Sequence, residues 1–313
     1  MIRAVIFDMF ETLITHYKSP LYFGAQMAED AGIPEQKFLE IWRPAEDDRT
    51  LGRITLEELL EQILWANDCY TPERLQELSN KRRAVKEECF RHLHPEIIPM
   101  LMELRKRGVL VGLISNCFSE EAEVIRESVL YPYFDAVCLS CDLGMKKPDE
   151  AIFRYCMEEL GVNPGECLYV GDGGSQELET AEELGMKAVQ ATWYLVQGST
   201  QPSSRKPEFP QARMPLAVLA YSEGAYLSVG EDDQTASAVA RIQLMEQYLD
   251  EVLQDIVTGI TLTEKINVLA GYYESGLWME DYERDERGEL PADLKRGVLA
   301  QDTLYNLLED LGQ

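Results

Sequence analysis

Four short stretches carry side chains that could do chemistry together, and each follows an apolar run. Asp8-Met9-Phe10-Glu11-Thr12 comes after residues 2–7, and Ser115-Asn116 after residues 109–114. Lys146-Lys147-Pro148-Asp149 and Gly171-Asp172-Gly173-Gly174-Ser175-Gln176-Glu177 complete the set. Asp8 is a carboxylate that could attack a phosphorus centre and split one hard displacement into two easier ones. Ser115 and the Asn116 amide offer hydrogen-bond donors for phosphoryl oxygens at a helix N-terminus. A lysine before Pro148 would neutralise charge developing on the reacting oxygens. Asp172 and Glu177 add hard oxygen donors of the kind Mg²⁺ prefers. Together they form the parts of a phosphoryl-transfer site.

The elements that must position these groups are readable from hydrophobic periodicity. Residues 2–7 and 109–114 are short apolar runs rich in branched side chains, which fits buried parallel strands. Beyond them the pattern alternates: helix 119–128, strand 136–140, helix 150–160, strand 167–170, helix 175–184, strand 187–191. This predicts an α/β fold with a doubly wound, Rossmann-like parallel sheet, in which ligands bind beyond the carboxyl ends of the strands. Between the first two strands, residues 19–93 read as helix only. Thr55 and Glu58 form a capping box ahead of a one-sided stripe of Leu56, Leu59, Leu60, Ile63 and Leu64. The expected division is an α/β core of residues 1–15 and 94–229, an inserted all-α cap of 16–93, and a small α-helical C-terminal domain of 230–313. Pro202, Pro207, Pro210 and Pro215 interrupt regular structure across 197–215, and 216–229 reads as a last core element. Ile242, Met245, Leu249, Val252, Leu253 and Ile256 make a helical stripe in the tail.

The order and spacing of the four strand-end motifs resemble those of the haloacid-dehalogenase-like hydrolases, across residues 1–195. The insert lies where members with an α-helical cap carry it. The resemblance implies Asp8 as covalent nucleophile, Lys147 instead of Lys146 as the site lysine, and Ser115 and Asn116 around the transferred group. It also implies Mg²⁺ held by Asp8, the Phe10 carbonyl and Asp172, with Glu177, in place of the usual Asp, acting through water. Thr12 would orient the first loop. The chain departs from the family's phosphatases at Phe10, where they carry an aspartate that serves as general acid and base. A phenyl ring transfers no proton, and such a group contributes about 10²–10⁴ in rate. Three readings follow: a Mg²⁺-dependent phosphatase of a small phosphorylated metabolite, with Glu11 a poorly placed substitute acid; a 2-haloacid dehalogenase, whose leaving group needs no proton; or a catalytically weak binding protein. The retained acids favour the first.

The formal net charge of −27 argues against nucleic acid and anionic membrane as partners, because polyanions would be repelled. No apolar stretch is long enough to span a bilayer. Asp8 and Glu11 break the opening apolar run too early for an export signal. With seven scattered cysteines, the chain reads as cytoplasmic with reduced thiols. Cys138-Leu139-Ser140-Cys141 lacks the further ligands of a metal site, and His92 and His94 read as exposed loop residues. In the cap, Arg43, Arg49 and Arg53 read as exposed helix arginines and stay outside the site; Trp42 and Trp65 read as packing residues. Residues 231–313 carry 19 acidic and 6 basic side chains, an acidic surface available to a protein partner. Tyr272-Tyr273, Trp278, Asp281 and 290–299 resemble a small bacterial family of unknown function, over about 241–311. Their aromatics read as a helical core, and Lys295 and Arg296 as members of internal ion pairs.

Overall fold

The structure, a computed structural model, describes residues 1–195, 203–223, 233–254 and 261–310. By its contacts the chain forms two units: Ile2–Leu93 with Leu110–Phe209, and Met1 with His94–Val109 and Pro210–Gln313.

The first unit is built on parallel strands β1 (Ala4–Phe7), β2 (Leu110–Ser115), β3 (Ala136–Leu139), β4 (Cys167–Gly171) and β5 (Lys187–Ala191), in the order β3-β2-β1-β4-β5. Every β1 side chain is buried, which is why the run is apolar at consecutive positions instead of alternating. The chain moves outward from β1 through β2 to β3, then returns to β4 on the other side. The order therefore reverses beside β1, where a crevice opens at the strands' carboxyl ends. Phe7 pairs with Leu113 and with Val170, and the Asp8 amide donates to the Val170 carbonyl at 3.0 Å. That register brings the residues after three strands to one place.

Among the described residues, 16–93 contain helices and no strand: Gly24–Ala31, Glu35–Trp42, Glu46–Thr50, Leu56–Ala66 and Pro72–Cys89, after a short 3₁₀ turn at His16–Lys18. The Thr55–Glu58 capping box is present, and Leu56, Leu59, Leu60, Ile63 and Leu64 all face the insert's own core with Met27, Phe38 and Leu78. Each such side chain stabilises by about 1.5–3 kcal/mol relative to exposure. Trp65 departs from expectation: it is 61% exposed and stacks on Tyr70. A helix face one residue off the apolar stripe meets solvent whatever its side chain. Cys138 lies on β3 and Cys141 on the turn after it, and all seven cysteines are free thiols. His92 is exposed beside Glu88, as expected of a loop histidine; His94 is half-buried, its Nδ1 accepting from the Glu96 amide.

The second unit holds helices Ile97–Lys106, Ala217–Ser222, Asp233–Leu253, Leu262–Glu274, Leu277–Glu286 and Gln301–Asp310, and a two-residue strand at Gln211–Ala212. This cuts across the sequence-based division, which assigned 94–109 and 210–229 to the α/β core. The physical reason is a buried charge: Arg241 binds Asp281 at 2.5 and 2.8 Å and also pairs with Glu96. Tyr272 Oη donates to Asp281 at 2.9 Å, and the Trp278 indole donates to the Val298 carbonyl at 2.9 Å. The aromatic motifs are thus core, as expected. Lys295 pairs with Asp250 and Glu246, and Arg296 with Asp285. Residues 196–202, 224–232 and 255–256, on which parts of the proline break, the last core element and the tail stripe fall, lie outside the described residues. No described helix is long and apolar enough to cross a membrane.

Candidate active site

Asp8 follows the central strand and is 6% exposed. Thr12 Oγ1, one turn on, donates to its Oδ2 at 3.3 Å, and Lys147 Nζ binds its Oδ1. Lys147 also reaches Glu177 Oε2 at 2.5 Å and Tyr169 Oη at 3.3 Å, while Tyr169 donates to the same Glu177 oxygen at 3.0 Å. Lys146 is instead half-exposed and paired with Asp47. Asn116 clamps the lysine's backbone: its Oδ1 accepts from the Lys147 amide at 2.8 Å, and its Nδ2 donates to the Lys147 carbonyl at 3.0 Å. The Asn116 side chain thus positions the cation, a role beyond the one its backbone was assigned. Ser115 Oγ is buried without a hydrogen-bond partner. An orphan hydroxyl of this kind is costly unless a ligand satisfies it.

The loop after β4 places Asp172 by a hydrogen bond from the Gly174 amide at 2.9 Å and another from Ser203 Oγ. Ser175 and Gln176 take left-handed φ values of 52° and 53°, so the helix expected from 175 starts at Glu177. Non-glycine residues in such conformations persist where the surroundings over-determine them, often at functional sites. Carboxylate oxygens of Asp8, Asp172 and Glu177 lie within 4.8 Å of one another. Burial pushes Glu177 up to about 8, with Lys147 opposing and Asp8 and Asp172 adding to the rise. Burial likewise raises Asp8, with Lys147 opposing, and Lys147 is itself raised by the two carboxylates against its own burial. Burial and mutual repulsion oppose ionisation of the three acids together beside a single ammonium. A hard divalent cation suits that donor set.

Glu11 turns away from this chemistry. Its φ of 59° curls the loop so that its carboxylate accepts from Thr15 Oγ1 at 2.7 Å and the His16 amide at 3.0 Å. Phe10 stacks on His16, ring centroids 4.8 Å apart, and both line a cavity of about 790 Å³ with Asn116, Lys147 and Ser175. Burial and the adjacent Lys86 lower His16 to about 3, so the imidazole is neutral.

The same cavity is walled by residues that sequence reasoning left out. Arg49 is 2% exposed, not a surface arginine, and Arg82 and Lys86 are also buried. Arg49 and Arg82 bind Glu120, and Arg82 and Lys86 bind Glu121. Arg43 and Arg53 are exposed, as expected. A signal existed for two of the three: Arg82 and Lys86 are spaced i, i+4 on the face of Leu78 and Cys89 in helix Pro72–Cys89, so the cations sit in the buried stripe.

A haloacid dehalogenase-like hydrolase family model matches residues 2–185, more than half of the chain. The chain belongs to that family of hydrolases. A second model, the domain of unknown function DUF4298, matches residues 239–313. Glyceraldehyde 3-phosphate phosphatase of Methanocaldococcus jannaschii is 33% identical over 97 residues, 31% of this chain and 42% of that protein. The chain thus spans less than half of that relative. Human N-acylneuraminate-9-phosphatase is 27% identical over 60% of this chain and 81% of its own. (S)-2-haloacid dehalogenase 4A of Burkholderia cepacia is 23% identical over 60% and 82%. A solved 2-haloacid dehalogenase from Pseudomonas syringae pv. Tomato superposes with a TM-score of 0.51 at 24% identity, over 72% of this chain and all of its own. That likeness shows the fold.

Proposed function

We propose that the protein is a Mg²⁺-dependent phosphatase of a small phosphorylated metabolite, acting through an aspartyl-phosphate on Asp8. The observation that carries this is the convergence of Asp172 and Glu177 on Asp8 with Lys147 between them. Asp8, Asp172, Glu177 and the Phe10 carbonyl would hold the cation, which when bound supplies positive charge to the phosphoryl oxygens. Thr12 and Lys147 hold the Asp8 carboxylate in one orientation, so an oxygen is presented to phosphorus without a search. The Ser115 hydroxyl, otherwise unsatisfied, donates to a phosphoryl oxygen. Asn116 fixes Lys147, which stays protonated and stabilises charge without giving up its proton. The phosphatase relatives act, by their names, on small phosphorylated compounds. The insert of residues 16–93, a cap distinct from the α/β core in this proposal, sets substrate choice and excludes water.

Phe10 favours one other reading, halide displacement from a 2-haloacid, because halide leaves unprotonated and a dehalogenase is among the relatives. The test is phosphate release from a panel of monoesters with Mg²⁺ or EDTA. Expected is Mg²⁺-dependent turnover that Asp8→Asn abolishes, alongside a phosphoryl adduct on Asp8 by acid-quench mass spectrometry. Chloride release from 2-chloropropionate that persists in EDTA, with no phosphate release, would replace the phosphatase with a dehalogenase.

A further inference from the structure

Four strand ends supply the candidate site, and the chain after the fifth strand braces it from outside. Two residues beyond β5, the Trp193 indole donates to the Thr12 carbonyl at 2.8 Å, on the loop that carries Asp8. Residues 203–206 then return to the loop after β4. Their anchor is Gln190, a buried amide on β5. Its Nε2 donates to the Asp172 carbonyl at 2.8 Å and to the Ser204 carbonyl at 2.7 Å, and its Oε1 accepts from the Lys206 amide at 2.8 Å. One side chain thus ties the backbone of Asp172 to the backbone of 204–206.

The approach is close. A Cβ on Gly173 would stand 3.1 Å from Gln190 Nε2 and 3.2 Å from the Lys206 side chain, and φ there is +90°, so the position favours glycine twice over. Lys206 Nζ also pairs with Glu179. Held in this way, Ser203 Oγ donates to Asp172 Oδ2, while Oδ1 accepts from the Gly174 amide at 2.9 Å. An ionised carboxylate has about four acceptor directions, so two donors leave room for a cation and remove only the freedom to rotate.

We propose that residues 203–206 are a strap belonging to the metal site, and that Ser203 is a positioning residue that fixes the Asp172 carboxylate for a divalent cation. This role rests on the cation of the function proposed above; Ser203 itself lies outside the four strand-end motifs that supply the rest of that site.

Mn²⁺ takes the same octahedral oxygen shell as Mg²⁺, and its free ion is counted by electron paramagnetic resonance, so the full chain can be titrated with Mn²⁺ alone and no substrate. Wild type should bind Mn²⁺ in a way that Asp172→Asn removes. Ser203→Ala should weaken the Kd about 10-fold, the low end for losing the hydrogen-bond partner of a metal ligand. Ser203→Thr, which keeps the hydroxyl, should stay within about three-fold of wild type. Circular dichroism and melting in EDTA check that each variant folds. If Ser203→Ala does not, Ser203→Cys, with its weak S–H donor, takes its place and should weaken the Kd in the same direction. An unchanged Kd in that variant, or equal losses in it and in Ser203→Thr, would overturn the role of Ser203 and leave the cation reading standing. Wild-type Mn²⁺ binding that is absent, or that Asp172→Asn leaves intact, removes the cation reading and the strap's role with it.

Discussion

A phenyl ring two residues after Asp8, the proposed nucleophile, would change what leaving groups the site can handle. Phe10 has no proton to give, His16 beside it is neutral, and Lys147 is held charged by two carboxylates. Departing alkoxide therefore has no donor in the first loop, and turnover should depend steeply on leaving-group pKa. Aryl and acyl phosphates are expected to turn over faster than alkyl esters at equal KM. Phe10→Asp should raise kcat on alkyl esters by roughly 10²-fold, the low end for a positioned acid, and flatten the dependence of kcat on leaving-group pKa. An unchanged slope would mean that the proton reaches the leaving group by another route.

At the scale of elements, helix Pro72–Cys89 of the insert meets helix Ser119–Glu127 through buried ion pairs. Arg82 donates to Glu120, Glu121 and the Tyr22 carbonyl. Removing one partner from such a buried network leaves charge uncompensated, so Arg82→Met should destabilise the protein by about 3–5 kcal/mol in urea unfolding. The same elements set the acid response. Lys86 and Arg82 hold Glu121 at about 2 despite its burial, and His16 sits near 3. Between pH 6.5 and 3 the unfolded chain protonates His16 while the folded chain does not, so the His16 contribution to stability falls as pH falls, by at most about 1.4 kcal/mol per unit. Below about 4.5 Glu121 acts with the same sign down to about 2. Glu177, raised to about 8, acts with the opposite sign above about 4.5, so the His16 contribution is read as a difference. From pH 6.5 to 5 in urea titrations His16→Phe should lose less stability than wild type, or gain more, and an identical pH dependence in both would place its origin elsewhere.

Over the whole molecule, each of the two units buries both apolar side chains and ion pairs. The first buries an apolar sheet and gathers its polar groups at the strands' ends. The second buries Ile242, Met245, Tyr248 and Leu249 together with an ion-pair network in which Arg241 binds Glu96 and Asp281. Arg241→Met should cost about 3–5 kcal/mol there, read as loss of the second unit's cooperative unfolding in calorimetry. Loss of the first unit's transition instead would show that the two do not melt separately.

Much of this was legible in the residues alone. β1 to β5, the helical insert and the four strand-end motifs follow from local periodicity and from the fixed rule that open α/β sheets bind ligands at strand ends. Asp8, Lys147, Asp172 and Glu177 were therefore nameable before any coordinates, as was the anomaly at Phe10. What only the tertiary structure decided was partnership. That Asn116 clamps Lys147, that Glu11 bends away, and that Glu96 belongs with Arg241 all depend on contacts between residues more than thirty positions apart or on a left-handed turn. Arg49 is the sharpest case: an arginine in a polar helical stretch reads as solvated, because local sequence reports charge but not the two aromatic rings and the glutamate that bury it. Periodicity is a local property and reaches the elements; the pairing of charges is set by packing and exists only once the elements have met.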